Sequence, residues 1–239
     1  IDQHAPHFWE AIDGAVGRYL GNLDKRLGVI SAQTAISTAA EISSIQIDID
    51  VEEISSDRYV QNKRPPKTRL VNIKEEVLNN KVSLIEAQMG FGKSHLARRI
   101  AIHFADSTLY KQTEVLPVYS TFKTYVDSNL RLEDFIKLQV GNVCLNSLNS
   151  NGGRVLIILD GIDEALAAHE SCKTKVDQLI AQVKAQNNWT LVLTSRPWKA
   201  LEELATKEIG IKRYRIRPLS IGKIVSYLRL VFETLKIPN

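Results

Sequence analysis

The chain has few cysteines and no long apolar run, and each absence excludes a class of protein. Only two cysteines occur among the 239 residues, Cys144 and Cys172, and neither lies at a paired spacing near a histidine. They give no support to a disulfide framework or a structural zinc site and are typical of a reducing, cytoplasmic setting. No stretch approaches the roughly 18 apolar residues that cross a bilayer, so we expect no membrane partner.

A signal peptide and internal repeats are also missing. Segment 1–30 carries charges and glycines where a signal peptide needs an apolar run. No repeat occurs, and low complexity is confined to the polar stretch 146–153. Because the chain begins at Ile1 rather than at a methionine, we expect it to be part of a longer protein with further domains.

The formal net charge of +4 makes the chain mildly basic. Such a balance suits phosphate-rich ligands or nucleic acid, but proteins that bind neither also have it. Basic residues cluster late in the chain, where both contact with nucleic acid and a solvated edge strand guarded by charge are open interpretations; we favour the edge strand. The cluster comprises Lys207, Lys212, Arg213, Arg215 and Arg217.

Short apolar runs alternate with amphipathic stretches from residue 82 onward. This alternation predicts right-handed crossovers onto a mainly parallel sheet, and therefore a three-layer α/β sandwich. The expected strands are 82–87, 115–119, 155–160, 191–195 and 214–216, and the expected helices are 93–105, 130–140, 174–185 and one that Ser220 caps. Upstream, the spacing predicts a helix over 8–27 and a strand over 45–51.

The first informative motif joins the strand at 82–86 to the helix that follows Lys93. Its sequence, Ala-Gln-Met-Gly-Phe-Gly-Lys-Ser, resembles a phosphate loop except that alanine replaces the first glycine. Two glycines permit backbone conformations that turn successive amides inward, and the start of a helix adds partial positive charge. The alternative, a chance glycine-rich turn, is disfavoured because the strand and the helix flank the motif in the required order.

This loop is predicted to bind nucleotide phosphates. Lys93 would reach the β- and γ-phosphates, and the Ser94 hydroxyl would ligate magnesium. The predicted nucleotide-binding residues of the loop are Gly90, Phe91, Gly92, Lys93, Ser94 and His95.

The second motif is an apolar strand that ends in an acidic cluster. A run as apolar as 155–159 must be covered on both faces, and ligands bind at the carboxyl ends of such strands. Asp160 is therefore predicted to hold magnesium directly or through water, and Asp163 or Glu164 to polarise the attacking water. The alternative is a strand that ends in a solvated acidic turn.

The third motif is a further apolar strand, 191–195, followed by Arg196 and Pro197. A guanidinium matches phosphate oxygens in a bidentate way, so Arg196 could sense the γ-phosphate. A surface arginine in a turn is the alternative interpretation.

Together the three motifs resemble the NACHT branch of the STAND NTPases over residues 59–232. The diagnostic pieces are Asp-Gly-x-Asp-Glu at 160–164 and Thr-Ser-Arg-Pro at 194–197. The resemblance implies a P-loop ATPase that rests with ADP, exchanges it for ATP, hydrolyses ATP slowly and self-associates to activate an attached effector. In prokaryotes such proteins often act in antiviral defence, with effector and sensor domains that would lie outside this chain.

The same resemblance suggests two contacts with the nucleotide base. Tyr59 and Val60 lie in the stretch that lines the adenine pocket in that family, although Tyr59 could equally be a packing aromatic. Pro218 could touch the base from the other side.

We therefore expect three parts: a flanking region at 1–64 that ends in a basic linker, a NACHT-like P-loop NTPase domain at 65–217, and the start of a helical subdomain at 218–239. The expected cofactors are ATP or ADP with Mg²⁺. A P-loop kinase or other phosphotransferase, which needs an acceptor pocket and a lid, and a nucleic-acid-dependent ATPase, which needs strand-contacting motifs, are the alternative functions. The sequence offers no clear lid, and nucleic acid is a partner without support from a motif.

Overall fold

The computed structural model describes residues 16–23, 25–27, 49–54, 68–141, 145, 152–166, 172–197, 201 and 210–234. Seven strands in these residues form one sheet in the order β2-β1-β7-β3-β6-β5-β4. The strands are β1 (Val51–Ile54), β2 (Thr68–Val71), β3 (Val82–Glu86), β4 (Val115–Thr121), β5 (Arg154–Asp160), β6 (Trp189–Ser195) and β7 (Ile211–Ile216). The helices are α1 (Ile73–Asn79), α2 (Lys93–Ala105), α3 (Ser107–Thr113), α4 (Phe122–Ser128), α5 (Leu132–Val140), α6 (Ile162–Leu166), α7 (Cys172–Ala185) and α8 (Ile221–Thr234).

The five strands from β7 to β4 are mutually parallel, whereas β1 and β2 are antiparallel to their neighbours. The mostly apolar strands β3, β5 and β6 are buried along almost their whole length, as interior parallel strands require. The predicted mainly parallel α/β sandwich is confirmed.

The position of β6 decides what the sheet brings together. It lies between β3 and β5, with Ser195 opposite Glu86 and Leu193 opposite Leu159. Because the three strands are parallel and in register, their carboxyl ends meet at one edge of the sheet. The phosphate-loop motif, the acidic motif and the Thr-Ser-Arg-Pro motif each follow one of these ends.

Several helices start close to where their sequence signals place them. Helix α2 has the predicted bounds, and α8 begins after Ser220, whose hydroxyl oxygen accepts a hydrogen bond from the Lys223 amide at 3.3 Å. Helix α5 starts at Leu132 rather than at 130, because the left-handed Asn129 (φ 52°) ends α4 just before it. No helix in the described parts of the chain is long and apolar enough to cross a membrane.

The predicted strand at 45–51 is displaced toward the carboxyl end. Residues 45–48 lie outside the described part, 49 and 50 are not in a strand, and β1 runs from Val51 to Ile54. Consecutive Glu52 and Glu53 interrupt the apolar alternation, so the alternating pattern predicted a strand that ends before residue 52. Strand β1 joins the main sheet, which thus extends upstream of the proposed boundary between residues 64 and 65; the three-part division itself stays a prediction.

An N-terminal helical segment, residues 16–23 and 25–27, packs on the core near the β4 edge. Its buried face follows helical spacing and consists of Val16, Leu20, Leu23 and Leu27. The Tyr19 hydroxyl donates to the Pro117 carbonyl at 2.8 Å, and Arg26 donates to the Tyr119 carbonyl at 3.4 Å. The predicted helix is present where the chain is described; residues 8–15 of it lie outside.

The basic cluster does not form a solvated edge strand, so that interpretation is wrong. Strand β7 is internal, because the acidic strand β1 pairs with it. Lys212 lies 2.8 Å from Glu53, and hydrogen bonds from Lys212 and then Arg69 lower the pKa of Glu53 below its usual value. Residue Lys207 lies outside the described residues.

One member of the cluster forms a buried ion pair. Arg213 Nη2 lies 2.8 Å from Glu86 Oε2 at the end of β3, and the two side chains are 12% and 1% exposed. Removing one partner of such a pair leaves a buried charge without its main compensation.

We expect Arg213→Met to lower the free energy of unfolding by about 3 kcal/mol, because Glu86 loses its buried cation. Arg217→Met is the matched control, since Arg217 is half exposed and lies 3.8 Å from Glu52; it should change stability by less than about 0.5 kcal/mol. Urea unfolding followed by circular dichroism measures both. Equal effects of the two substitutions would contradict a structural role for the buried pair.

Candidate nucleotide-binding site

The loop at 87–92 connects β3 directly to α2. Gly90 and Gly92 have φ angles of 81° and 84°, in the left-handed region that favours glycine. A Cβ atom on Gly92 would also stand 3.4 Å from Ile49 Cδ1. Any other residue at these two positions would therefore strain the backbone.

Helix α2 begins without a side-chain cap from the described residues, with Gly92 as its N-cap residue. The Leu96 amide makes the first helical bond, to the Gly92 carbonyl at 2.8 Å. The amides of Gly92, Lys93, Ser94 and His95 therefore have no helical acceptor and lie at the positive end of the helix. The Phe91 amide differs, because it donates to the Gln88 carbonyl within the loop at 3.3 Å.

The positive side chain of the loop is that of Lys93. Its ammonium donates to the carbonyls of Ala87 at 3.1 Å and Gln88 at 3.4 Å, so it folds back over the loop. Desolvation, followed by the charges of Arg99 and Arg98, holds the pKa of His95 below its usual value. The His95 side chain is therefore neutral at pH 7, and at the helix N-terminus this residue offers its backbone amide rather than a positive charge.

Asp160, at the end of β5, forms a hydrogen-bonded corner with β6. The carboxylate is 6% exposed, and Oδ1 accepts a hydrogen bond from the fully buried Thr194 hydroxyl. The same hydroxyl oxygen accepts from the Gly161 amide at 2.9 Å. On the other side, the Tyr119 hydroxyl donates to Asp160 Oδ2 at 3.4 Å. Burial, together with the Asp160 charge, raises the pKa of Tyr119 to about 12, so the phenol stays protonated.

The loop is joined to this corner through β6. The Ala87 amide donates to the Ser195 carbonyl at 3.1 Å, one residue beyond Thr194. The three motifs predicted to share one edge of the sheet are therefore connected by hydrogen bonds.

Asp163 and Arg196, which were predicted to have separate roles, contact each other. Arg196 Nε lies 2.9 Å from Asp163 Oδ2, and the Arg196 amide donates to Asp163 Oδ1 at 3.1 Å. Arg196 is half exposed and Asp163 is 17% exposed. Glu164 is exposed and folds toward Gly161, where a Cβ atom would stand 3.3 Å from the Glu164 carboxyl carbon.

The oxygen donors of this site fit a hard cation held together with phosphates. No three His, Cys, Asp or Glu residues in the described chain cluster closely enough to hold a metal ion by themselves. Magnesium bound with nucleotide phosphates needs only one or two protein oxygens, and a buried carboxylate and a hydroxyl are of that type. Asp160 and Ser94 therefore have the right chemistry for Mg²⁺.

Of the other predicted site residues, one follows β7 at the same edge of the sheet and two lie outside the described residues. Tyr59 and Val60 belong to the part of the chain that is not described. Pro218 is exposed in the connection between β7 and α8. Its neighbour Arg217 donates its amide to the Asp50 carbonyl at 2.9 Å.

Thr194 and Tyr119, whose hydroxyls bond Asp160, were not predicted as site residues. One signal was present for both. Each carries a hydroxyl near the carboxyl end of an apolar strand, at the edge where Asp160 was expected.

A parallel sheet in which a glycine-rich loop leads from a buried strand into a helix, with an acidic strand end close by, defines a P-loop nucleoside triphosphatase. A family model described as the NACHT domain matches residues 81–234. The chain belongs to the NACHT family and is thus a nucleotide-binding NTPase, as the resemblance implied.

Two solved structures share part of the fold. C. elegans PCH-2 is 18% identical with a TM-score of 0.43, and the match covers 70% of this chain and 43% of that one. The Aeropyrum pernix ORC2 protein, in ADPNP–ADP complexes, is 12% identical with a TM-score of 0.46, and the match covers 68% and 50%. The chain thus spans half or less of the length of either protein. No curated protein sequence matches it.

We expect Thr194→Val to lower the free energy of unfolding by about 1–3 kcal/mol, because valine keeps the shape but leaves the buried Gly161 amide without its acceptor. Thr190→Val, at a buried position on the same strand, is the control and should cost less. Thermal unfolding compares the two, and a larger loss at position 190 would count against the corner.

Proposed function

We propose that this chain is the ATP-dependent switch core of a STAND-type signalling protein, which binds Mg²⁺ and ATP at the α2 N-terminus, hydrolyses ATP slowly and self-associates when the triphosphate is bound. The observation that carries the proposal is the meeting of three strand ends at one edge. There the phosphate loop, the Asp160 corner and the Arg196–Asp163 pair lie on β3, β5 and β6.

Phosphate binding would use the first amides of α2. The amides of residues 92–95 point out of the helix end, and the Lys93 ammonium, which donates to two loop carbonyls, would exchange these acceptors for phosphate oxygens. Since His95 is neutral, the charge match with phosphate would depend on Lys93 and the helix dipole. Phe91 would contribute through its position in the loop rather than through its amide.

Ser94 and Asp160 would hold the magnesium ion. When bound, the ion would neutralise phosphate charge and polarise the phosphoryl group. Asp160 is suited to this because both oxygens face neutral hydroxyls, which orient the carboxylate and leave its charge available to a cation.

Water activation is assigned to Glu164, with Asp163 in a supporting role. Both Asp163 oxygens are engaged by Arg196, so this carboxylate is less available to a water molecule. Glu164 is exposed one residue further along and has no such constraint from Arg196. An exposed general base such as Glu164, which is not held in position beside the phosphate loop, is consistent with slow hydrolysis.

Arg196 supplies the switching element of the proposal. Its guanidinium is half exposed, and an ion pair of this exposure is worth about 0–1 kcal/mol. A γ-phosphate would therefore compete for the guanidinium, and departure of the phosphate would return it to Asp163. Arg196 would thus have two alternative partners, Asp163 and the γ-phosphate. Which of the two it contacts would depend on whether ATP or ADP is bound.

The remaining assignments belong to the same proposal. Tyr59, Val60 and Pro218 would contact the adenine, and residues 218–239 would begin the helical subdomain. Helix α8 exposes Ile221, Ile224, Val225, Leu228, Leu230 and Phe232, as expected of a helix that packs on further helices. Attached effector and sensor domains and a role in antiviral defence are proposed from the family resemblance, and a cytoplasmic location from the low number of cysteines.

Lys93→Ala should weaken ATP binding about 100-fold or more, because the phosphates lose their cation. Isothermal titration calorimetry with ATP and Mg²⁺ measures the affinity. Lys123→Ala removes an exposed lysine of α4 and is the control for net charge. Unchanged ATP affinity in the Lys93 variant would exclude this loop as the nucleotide site.

Glu164→Gln should retain ATP binding and slow single-turnover hydrolysis about 100-fold or more, since the water loses its base. Asp163→Asn should also bind ATP, with a smaller effect on hydrolysis. Because the Glu164 variant holds ATP, its sedimentation velocity should show larger species with ATP than with ADP. Stimulation of wild-type turnover by a phosphate acceptor or by nucleic acid, or equal sedimentation with both nucleotides, would contradict the switch.

A further inference from the structure

We propose that Tyr119 is a positioning residue for Asp160. The inference rests on the proposed role of Asp160 as a metal ligand. It concerns a residue outside the three motifs, on a strand to which no motif belongs.

Tyr119 lies on β4, next to the strand that carries Asp160. It is paired with Ile158, two residues before the carboxylate, and its side chain is almost fully buried. Its hydroxyl donates to Asp160 Oδ2 at 3.4 Å, whereas Thr194, on the strand at the other side of β5, donates to Oδ1. The carboxylate is thus held from both neighbouring strands.

Two opposed donors restrict the rotation of the carboxylate, which a single donor would allow. The Tyr119 contact is longer than an optimal O–H···O bond, so the phenol orients Oδ2 without saturating it. Both donors are neutral. A lysine or arginine beside Oδ2 would compete with an incoming cation, whereas a phenol leaves the negative charge available.

The consequence is a fixed orientation of the Asp160 carboxylate. Magnesium tolerates little departure from its coordination geometry, so a rotated carboxylate would weaken its binding. Loss of groups that orient a ligand typically costs about 10–100-fold in metal affinity.

The test measures ATP affinity by calorimetry with and without Mg²⁺. Tyr119→Phe should leave the affinity without Mg²⁺ unchanged and reduce the gain that Mg²⁺ brings about tenfold. Tyr125→Phe is the matched control, since Tyr125 is a buried tyrosine of α4 that packs on Phe122 and Phe135. It should keep the full gain.

Thermal unfolding of Tyr119→Phe is measured alongside, since the substitution keeps the buried ring. A reduced Mg²⁺-dependent gain in the folded variant supports the positioning role. An unchanged gain overturns it.

Asp160→Asn separates the two levels of the inference. If it abolishes the Mg²⁺-dependent gain while Tyr119→Phe retains it, Asp160 is a metal ligand and the positioning role is wrong. If Asp160→Asn keeps the gain, the proposed function fails at its metal site. Loss of the gain in the Asp160 variant and its reduction in the Tyr119 variant, with Tyr125→Phe unaffected, support both.

Discussion

The hydrogen bonds from Thr194 to Asp160 and from Gly161 to Thr194 hold the ends of β5 and β6 together. A buried carboxylate is stable only with donors around it, and here the donors come from a neighbouring strand. Since the Ser195 carbonyl accepts the Ala87 amide, the same strand end also fixes the start of the phosphate loop. The edge of the sheet that carries the candidate site is thus organised by β6, which contributes neither the phosphate loop nor Asp160.

This arrangement explains why the site is built on a rigid part of the molecule. Strands β3, β5 and β6 are buried on both faces and carry no charged residue between their ends, apart from Glu86 and Asp160 at the site edge and Arg154 at the start of β5. Their interior is mostly apolar, with Ser83 in β3 and Thr190 in β6 as buried polar exceptions. The charged side chains lie at the positions where the strands start or stop.

Much of this could be predicted from sequence, because the signals are local. An apolar run of five to seven residues predicts a buried strand, and the glycines and Lys93 identify the phosphate loop. The order of the strands depends on pairing between distant segments, so the position of β6 and the role of Thr194 were not available. The short helices α1, α3 and α4 have about two turns each and too little periodicity to be recognised. Arg196 and Asp163 could be named as site residues, but not as partners, because their contact spans two strands.

The two edges of the sheet are both protected, each by a different means. At β4, the side chains of Tyr19 and Arg26 donate hydrogen bonds to backbone carbonyls of the edge strand. At β2, the edge strand has only four residues and carries the charged Arg69. Edges of this kind resist the addition of a strand from another chain. Copies of this protein that assemble would therefore have to meet through side-chain surfaces, so that assembly could be reversed without breaking backbone pairing.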